Sequence, residues 1–282
     1  MASIDLTRLD QQITQLASLY QDPDMFQEEF HKILSFYHRY SHRKQKDAVP
    51  KSFMQHYDLS EKILPHLEAR LKPLALAHSA ETLQLINQLW GDNYYEAREL
   101  ATSLAGNLPI SFSNSVLDLI YTWLQQPLDQ AVIDAIISNA SRTILHNEPE
   151  KWKDLIKRLL FSTLVQSQKM GLLALAQLIP TSPMDEIPAF FSWIRGFLLS
   201  SDLSLDKHIR PVIEALAQKA QQESTYLLRE VLADSNDIQV GRRIRHYLEF
   251  FEEPGKTRIL SAIKNQVILP NNNSKTSDKM QG

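Results

Sequence analysis

Residues 94–108 read YYEARELATSLAGNL, and three later stretches repeat the same pattern. Each begins with polar residues, carries a basic residue in its first half, and continues with leucine and small residues at helical spacing. The later copies are residues 167–179 (SQKMGLLALAQLI), 207–220 (KHIRPVIEALAQKA) and 237–251 (DIQVGRRIRHYLEFF). A unit recurring every roughly 35–40 residues is typical of stacked helix pairs. The sequence therefore predicts an all-α, right-handed solenoid of HEAT-like or armadillo-like helix pairs.

The composition agrees with an almost wholly helical chain. Only seven of the 282 residues are glycine, and sheets with tight hairpins use glycine far more often than helices do. There is no cysteine, which excludes disulfides and thiolate metal sites. The first residues lack the basic and apolar regions of a signal peptide, and no apolar run reaches about 18 residues. We expect a cytoplasmic protein without a membrane partner.

The chain divides into three parts by composition. Residues 1–52 are predicted to form N-terminal helices followed by a polar basic segment. Residues 53–268 are predicted to form the HEAT-like repeat domain. Residues 269–282 are polar and almost without apolar side chains, so we expect a disordered tail.

Motifs for common enzyme chemistry are missing. No phosphate-binding loop, dinucleotide-binding glycine motif, HExxH or Gly-x-Ser-x-Gly occurs. His38 and His42 form a pair spaced by four residues, but no carboxylate follows at a spacing that would complete a zinc site. We expect no metal and no cofactor.

Basic residues recur on the second helix of each predicted pair. In HEAT-type arrays these helices line the concave face, where a row of cations could follow a phosphate backbone. The alternative is structural, because arginines also pair with carboxylates on solvated faces. The net charge of −3 does not decide between them. The candidate DNA-binding residues are Arg43, Lys44, Lys46, Arg98, Arg142, Lys169, Arg210, Arg242 and Arg243.

The four tryptophans lie among apolar neighbours at helical spacing. Core packing is the better interpretation of Trp90, Trp123, Trp152 and Trp193, since tryptophan dominates interior contacts. Tyr94 and Tyr95 follow the turn formed by residues 91–93, and we expect them to be more accessible.

Two segments resemble the HEAT-like-repeat DNA alkylation repair family (AlkD-like alkylpurine glycosylases). They are residues 58–72 (DLSEKILPHLEARLK) and 85–109 (LINQLWGDNYYEARELATSLAGNLP), with Leu89, Trp90 and Glu96 as the best motif. Residues 208–221 (HIRPVIEALAQKAQ) are similar to a late repeat of that family. The resemblance implies a concave, positively charged face that holds duplex DNA. It also implies a tryptophan with an aspartate four residues later, and a second tryptophan in the late repeat, which together hold a cationic lesion.

The aromatic positions of that family are not matched here. Asp134 aligns with the family's catalytic aspartate, but Gln130 occupies the tryptophan position and the second tryptophan falls near Glu214. Each lost contact between a cation and an aromatic ring is worth about 0.5–2 kcal/mol. We therefore predict a DNA-binding protein with weak or no glycosylase activity. A protein-binding scaffold and an active alkylpurine glycosylase, with Asp134 as its catalytic residue, remain the two alternatives.

Overall fold

A computed structural model describes residues 5–41, 54–200 and 202–268. Within these ranges the backbone is helical and forms no strand; one isolated parallel β-bridge joins Gln55 to Tyr94. The all-α prediction is therefore confirmed. The predicted disordered tail lies outside the described residues, and so does most of the basic segment.

The chain forms two compact units, Met1–Leu155 and Ile156–Gly282. The sequence pattern did not indicate this division. The boundary falls inside α9, Pro149–Leu160. The helices that precede α9 are α1 Leu6–Ser18, α2 Pro23–Ser41, α3 Ile63–Ala77, α4 Ser79–Trp90, α5 Tyr95–Asn107, α6 Ser113–Leu124, α7 Gln130–Ala135 and α8 Arg142–Asn147.

Helices of the first unit pack mainly on those one or two places away in the chain. Helix α3 contacts α1 and α5, α2 contacts α4, and α4 lies along α5. Their shared core holds the fully buried side chains of Leu67, Leu85 and Leu104. This packing order is typical of stacked helix pairs. The right-handed solenoid stays a prediction.

A π-helical turn, Ile136–Ala140, separates α7 from α8. The segment from Gln130 to Asn147 is therefore not one continuous α-helix. The turn packs against α5 at Gly106, where an added Cβ would lie 1.9 Å from the Asn139 carbonyl oxygen. The glycine thus permits a backbone approach that no larger residue allows.

The described residues of the second unit form the rest of α9 and six further helices. These are α10 Val165–Leu178, α11 Ile187–Leu199, α12 Asp206–Lys219, α13 Gln221–Asp234, α14 Ile238–Arg245 and α15 Gly255–Ile268. Helix α10 packs on α12, α11 packs on α13, and α13 packs on α15. Gly171 of α10 lies close to α9, since a Cβ there would be 2.8 Å from the Leu160 nitrogen.

The aromatic core agrees with the sequence-based prediction. Trp90, Trp123, Trp152 and Trp193 are all buried, with at most 9% of their surface exposed. The rings of Trp90 and Trp123 stack at 4.1 Å between centroids. None of the four tryptophans is therefore available as an exposed stacking surface.

Candidate nucleic-acid interface

Asp134 is an exposed carboxylate on the short helix α7. The Nε2 atom of Gln130, one turn earlier, donates to its Oδ1 atom over 2.9 Å. An amide therefore occupies the place beside the carboxylate where the resemblance implies a tryptophan. Because an amide has no aromatic ring, Gln130 cannot attract a flat cation as the indole of a tryptophan would.

Tyr95 at the start of α5 is an aromatic side chain within electrostatic reach of Asp134. Burial raises the pKa of Tyr95, and the negative charges of Glu99, Glu96 and Asp134 raise it further. The His56 ring stacks on the Tyr95 ring with 5.1 Å between centroids. Tyr95 was expected to be more accessible than the tryptophans, and it is half-buried. Its closeness to His56 could not be predicted, because the two residues are 39 positions apart in the sequence.

Two carboxyl groups on the first turns of α5 add to the acidic character of this region. Burial raises the pKa of Glu99, and the neighbouring charge of Glu96 raises it further. Glu96 is 4% exposed, and burial raises its pKa too. Glu96 therefore lies in the interior, whereas Glu99 is half-buried and lines a small pocket together with Glu68.

Arg98 is half-buried and held by its own unit. Its Nε atom donates to the Asp92 carbonyl oxygen over 3.1 Å, and its guanidinium lies 5.1 Å from the Trp90 ring centroid. Burial lowers the pKa of Arg98. These contacts leave only part of the guanidinium free to meet a phosphate.

Arg142, at the start of α8, is more accessible. Its side chain is 47% exposed, and its Nη1 atom pairs with Glu68 Oε1 at 2.8 Å. Burial opposes ionisation of Glu68, but hydrogen bonds and the charge of Arg142 outweigh it, so the pKa of Glu68 is lowered. The Nη2 atom of Arg142 also donates to Asn139 Oδ1 over 3.4 Å, and about half of the side chain remains exposed to solvent.

In the second unit, Lys169 and Arg242 are the candidates that form no ion pair with another of the described residues. Lys169 is half-buried on α10. Burial lowers the pKa of His208, and the positive charges of Lys169 and Lys207 lower it further. Arg242 is exposed on α14.

Arg210 binds the protein itself. Its guanidinium forms an ion pair with Glu249, donates to the His246 carbonyl oxygen over 3.3 Å, and lies 4.8 Å from the Phe250 ring centroid. These contacts join α12 to the segment after α14. Part of the side chain stays exposed, but the ion pair, the carbonyl oxygen and the ring together hold the guanidinium against its own unit.

Arg243 is buried, so its assignment to a DNA-binding surface was wrong. The residue is 3% exposed. Its Nη1 atom donates to the carbonyl oxygens of Phe197 (2.9 Å) and Leu198 (3.2 Å). Its Nη2 atom donates to the Asp202 carbonyl oxygen. Its Nε atom lies 2.6 Å from Asp206 Oδ1. A guanidinium enclosed in this way cannot reach a phosphate.

The candidates therefore separate into three groups. Asp134, Arg98 and Arg142 belong to the first unit, and Lys169, Arg210, Arg242 and Arg243 belong to the second. Arg43, Lys44 and Lys46 lie outside the described residues.

The described residues offer neither a metal site nor a membrane span. No group of three or more His, Asp or Glu side chains within them is arranged to hold a metal ion. No helix within them is both long and apolar enough to cross a bilayer.

Comparison with known proteins identifies the family. No curated protein is significantly similar to the sequence. Among solved structures, the chain is similar to an engineered protein at 15% identity and a TM-score of 0.28, covering 73% of this chain and 94% of that one. A score this low supports no conclusion. The family model for DNA alkylation repair enzymes matches residues 64–230, which is more than half of the sequence. This chain belongs to the DNA alkylation repair enzyme family.

Proposed function

We propose that this protein binds duplex or structured DNA and has weak or no glycosylase activity. The family match over residues 64–230 is the observation that carries the proposal. It covers every helix from α4 to α12, together with parts of α3 and α13. The match supports a role related to DNA repair, and the side-chain geometry supports the narrower statements below.

Arg142, Lys169 and Arg242 are the cations best suited to contact phosphates. Arg142 and Arg242 are exposed, and Lys169 is half-buried. Contacts of this kind are independent of sequence and release counterions, so they make binding steeply dependent on salt. Arg98 is half-buried, so only the exposed part of its side chain is available to a phosphate.

A salt titration with single substitutions tests this part of the proposal. We expect Arg142→Ala and Arg242→Ala each to weaken binding to a fluorescent duplex and to reduce the slope of log K against log salt by about 1. Arg195→Ala is the matched control, because Arg195 is held by Glu230 and Asp234. Unchanged affinity and slope in both test variants would contradict the assignment of these two residues.

Weak or absent glycosylase activity follows from the surroundings of Asp134. A carboxylate stabilises the cationic sugar that forms as a glycosidic bond breaks. Here Gln130 is hydrogen-bonded to that carboxylate, and the four tryptophans are buried. The aromatic walls that would hold a cationic base are therefore missing at the two aligned positions.

The release of 7-methylguanine from alkylated DNA is the test. We expect little or no release above a control without enzyme. Release that Asp134→Asn abolishes would show that the protein is an active glycosylase and would overturn this part of the proposal.

A protein partner is a second candidate, favoured by an apolar turn in the second unit. Phe161, Leu164 and Val165 lie between α9 and the start of α10, and they are 64%, 57% and 44% exposed. Large apolar side chains so close together are often covered by another protein. If this turn serves such a partner, Phe161→Ser should abolish a pull-down interaction that Arg142→Ala leaves intact.

A further inference from the structure

Exposed apolar side chains recur at the starts of three helices in the second unit. Leu164 and Val165 lie at the start of α10, Leu203 shortly precedes α12, and Ile238 begins α14. These four side chains are 57%, 44%, 52% and 49% exposed. Residues of these types are usually buried, and a surface cluster of them marks a site of interaction.

Helices α10 and α12 lie side by side and run in the same direction. They pack along each other, and their ends meet where Lys219 Nζ donates to the Pro180 carbonyl oxygen over 3.1 Å. Lys219 is the last residue of α12, and Pro180 follows closely after α10. Because both helices have 14 residues, their starts lie together as well. Leu203 is therefore near Leu164 and Val165.

Helix α14 continues this arrangement beside α12. Arg210 Nη1 donates to the carbonyl oxygen of His246, 36 positions later. Arg243 Nη2 donates to that of Asp202, 41 positions earlier. The two contacts follow the same order along both segments, so α12 and α14 run in the same direction with their starts together. The four exposed side chains thus form one row, which we call the apolar row.

A basic residue follows three of these apolar residues by four positions. Lys169 follows Val165, Lys207 follows Leu203, and Arg242 follows Ile238. None of the three cations forms an ion pair with another of the described residues. Four positions are about one helical turn, so the cations form a second row beside the apolar one.

Two carboxylates beside these rows are occupied by the backbone. Asp202 Oδ1 accepts from the Ser204 nitrogen over 2.8 Å, and Asp237 Oδ1 accepts from the Gln239 nitrogen over 2.8 Å. Both carboxylates therefore serve their own turns. The rows offer a partner apolar contacts and positive charge.

The spacing along the apolar row suits an α-helix lying across the three helix starts. Packed helices are about 8–10 Å apart, so neighbouring apolar sites are separated by roughly that distance. An α-helix rises about 1.5 Å per residue, and seven residues span about 10 Å. Side chains seven positions apart share one face of a helix. A crossing helix of about 15 residues would therefore reach all three sites.

Two other occupants fit the rows less well. DNA would match the cations, but all four apolar side chains are aliphatic and offer no ring on which a base could stack. A second copy of this chain would bring the same cations against each other in a symmetric contact, which opposes association. The observations favour a partner with carboxylates beside apolar side chains.

We propose that the apolar row docks an acidic amphipathic helix of a partner protein, with Lys169, Lys207 and Arg242 facing its carboxylates. The proposal rests on the second candidate function above, a protein partner. It shares Lys169 and Arg242 with the proposed DNA contacts, so DNA and the partner helix should compete for the second unit.

A displayed peptide library tests the site on the full chain. Its peptides are about 18 residues long, with leucine at every seventh position and all other positions randomised. We expect selection to enrich peptides that carry Asp and Glu along one flank of the leucines. The most enriched peptide is then synthesised for fluorescence anisotropy, and its affinity should fall as salt rises.

Three variants separate this site from the DNA contacts. Leu203→Ser should weaken binding of the synthetic peptide at least about tenfold and leave DNA affinity unchanged. Arg142→Ala should weaken DNA binding alone. Tyr226→Ser is the matched control, because Tyr226 is 61% exposed on α13 and should change neither affinity. Thermal unfolding checks that each variant is folded.

The possible outcomes distinguish this proposal from the one on DNA. It is refuted if selection enriches no peptide with an acidic flank, or if folded Leu203→Ser binds the peptide like the unmodified chain. A loss of DNA affinity in Leu203→Ser would assign the apolar row to DNA and would also refute it. Peptide binding that depends on Leu203 in a protein that binds no DNA would contradict only the DNA proposal.

Discussion

Arg242 and Arg243 are neighbours in the sequence with opposite surroundings, and replacing each by alanine should have opposite consequences. Arg243→Ala removes a guanidinium that donates to three carbonyl oxygens and lies 2.6 Å from Asp206 Oδ1. Breaking a buried ion pair by deleting one partner costs about 3–5 kcal/mol. Arg242→Ala changes an exposed side chain, for which the cost is usually within about 0.5 kcal/mol.

The predicted loss for Arg243→Ala is a large fraction of the total stability of most folded proteins, which is about 5–15 kcal/mol. At about 2–4 °C per kcal/mol for a domain of this size class, the melting temperature should fall by roughly 6–20 °C. Circular dichroism during thermal and urea unfolding measures both quantities. Arg243→Lys keeps the charge but not the planar fork, so its stability should be intermediate, and it serves if the alanine variant does not fold.

The same pair of variants separates structure from binding. Arg242→Ala should weaken DNA binding with little change in melting temperature, and Arg243→Lys should do the reverse while it remains folded. If Arg243→Ala melted within about 1 °C of the unmodified protein, the enclosure of its guanidinium by α11, α12 and α14 would be wrong.

Three further predictions concern the first unit. Gly106→Ala should destabilise the protein by at least about 1–3 kcal/mol in urea unfolding, because its Cβ would overlap the Asn139 carbonyl; unchanged stability would contradict the close contact. Burial, then the charge of Glu96, raises the pKa of Glu99, so the folded state binds the carboxyl proton more tightly than the unfolded state does. The stability that this bound proton contributes is lost as the pH rises through the folded pKa. Glu99→Gln should therefore raise the free energy of unfolding above that pKa and reduce the difference on acidification; a variant less stable at neutral pH would refute this sign. Gln130→Trp should increase release of 7-methylguanine, because it places an aromatic ring one turn from Asp134. Equal release by both proteins would contradict this prediction.

Local sequence pattern predicted the helices where neighbours along the chain decide them. Residues 94–108 were expected to be helical, and α5 spans Tyr95–Asn107. Burial of the four tryptophans was also expected and is confirmed. The π-helical turn could not be predicted, because it packs against Gly106, which lies 33 positions before Asn139 in the sequence.

The helical pattern of α14 already distinguishes Arg242 from Arg243. Val240 and Ile244 are buried on one face of α14, and Arg243 lies on that same face. A helical projection would have separated the two arginines. The partners of Arg210 and Arg243 could not have been found in this way, because they come from segments about 36–46 positions distant and only tertiary packing brings them near.

The pairing of Asp134 with Gln130 follows from their spacing of four on a helix. Tyr95, whose pKa the charge of Asp134 helps to raise, and His56, which stacks on Tyr95, belong to other segments. Only tertiary packing brings these side chains together, and a local sequence pattern does not show it.

The salt dependence of DNA binding tests the central claim most directly. Fluorescence anisotropy with an undamaged duplex, a branched junction and an alkylated duplex, each from about 50 to 200 mM salt, gives the affinity and its slope. We predict measurable binding whose affinity falls steeply with salt, with a smaller slope for the double variant Arg142→Ala and Arg242→Ala. Absence of binding at the lowest salt, or a slope that the double variant leaves unchanged, would contradict the claim that these cations bind DNA.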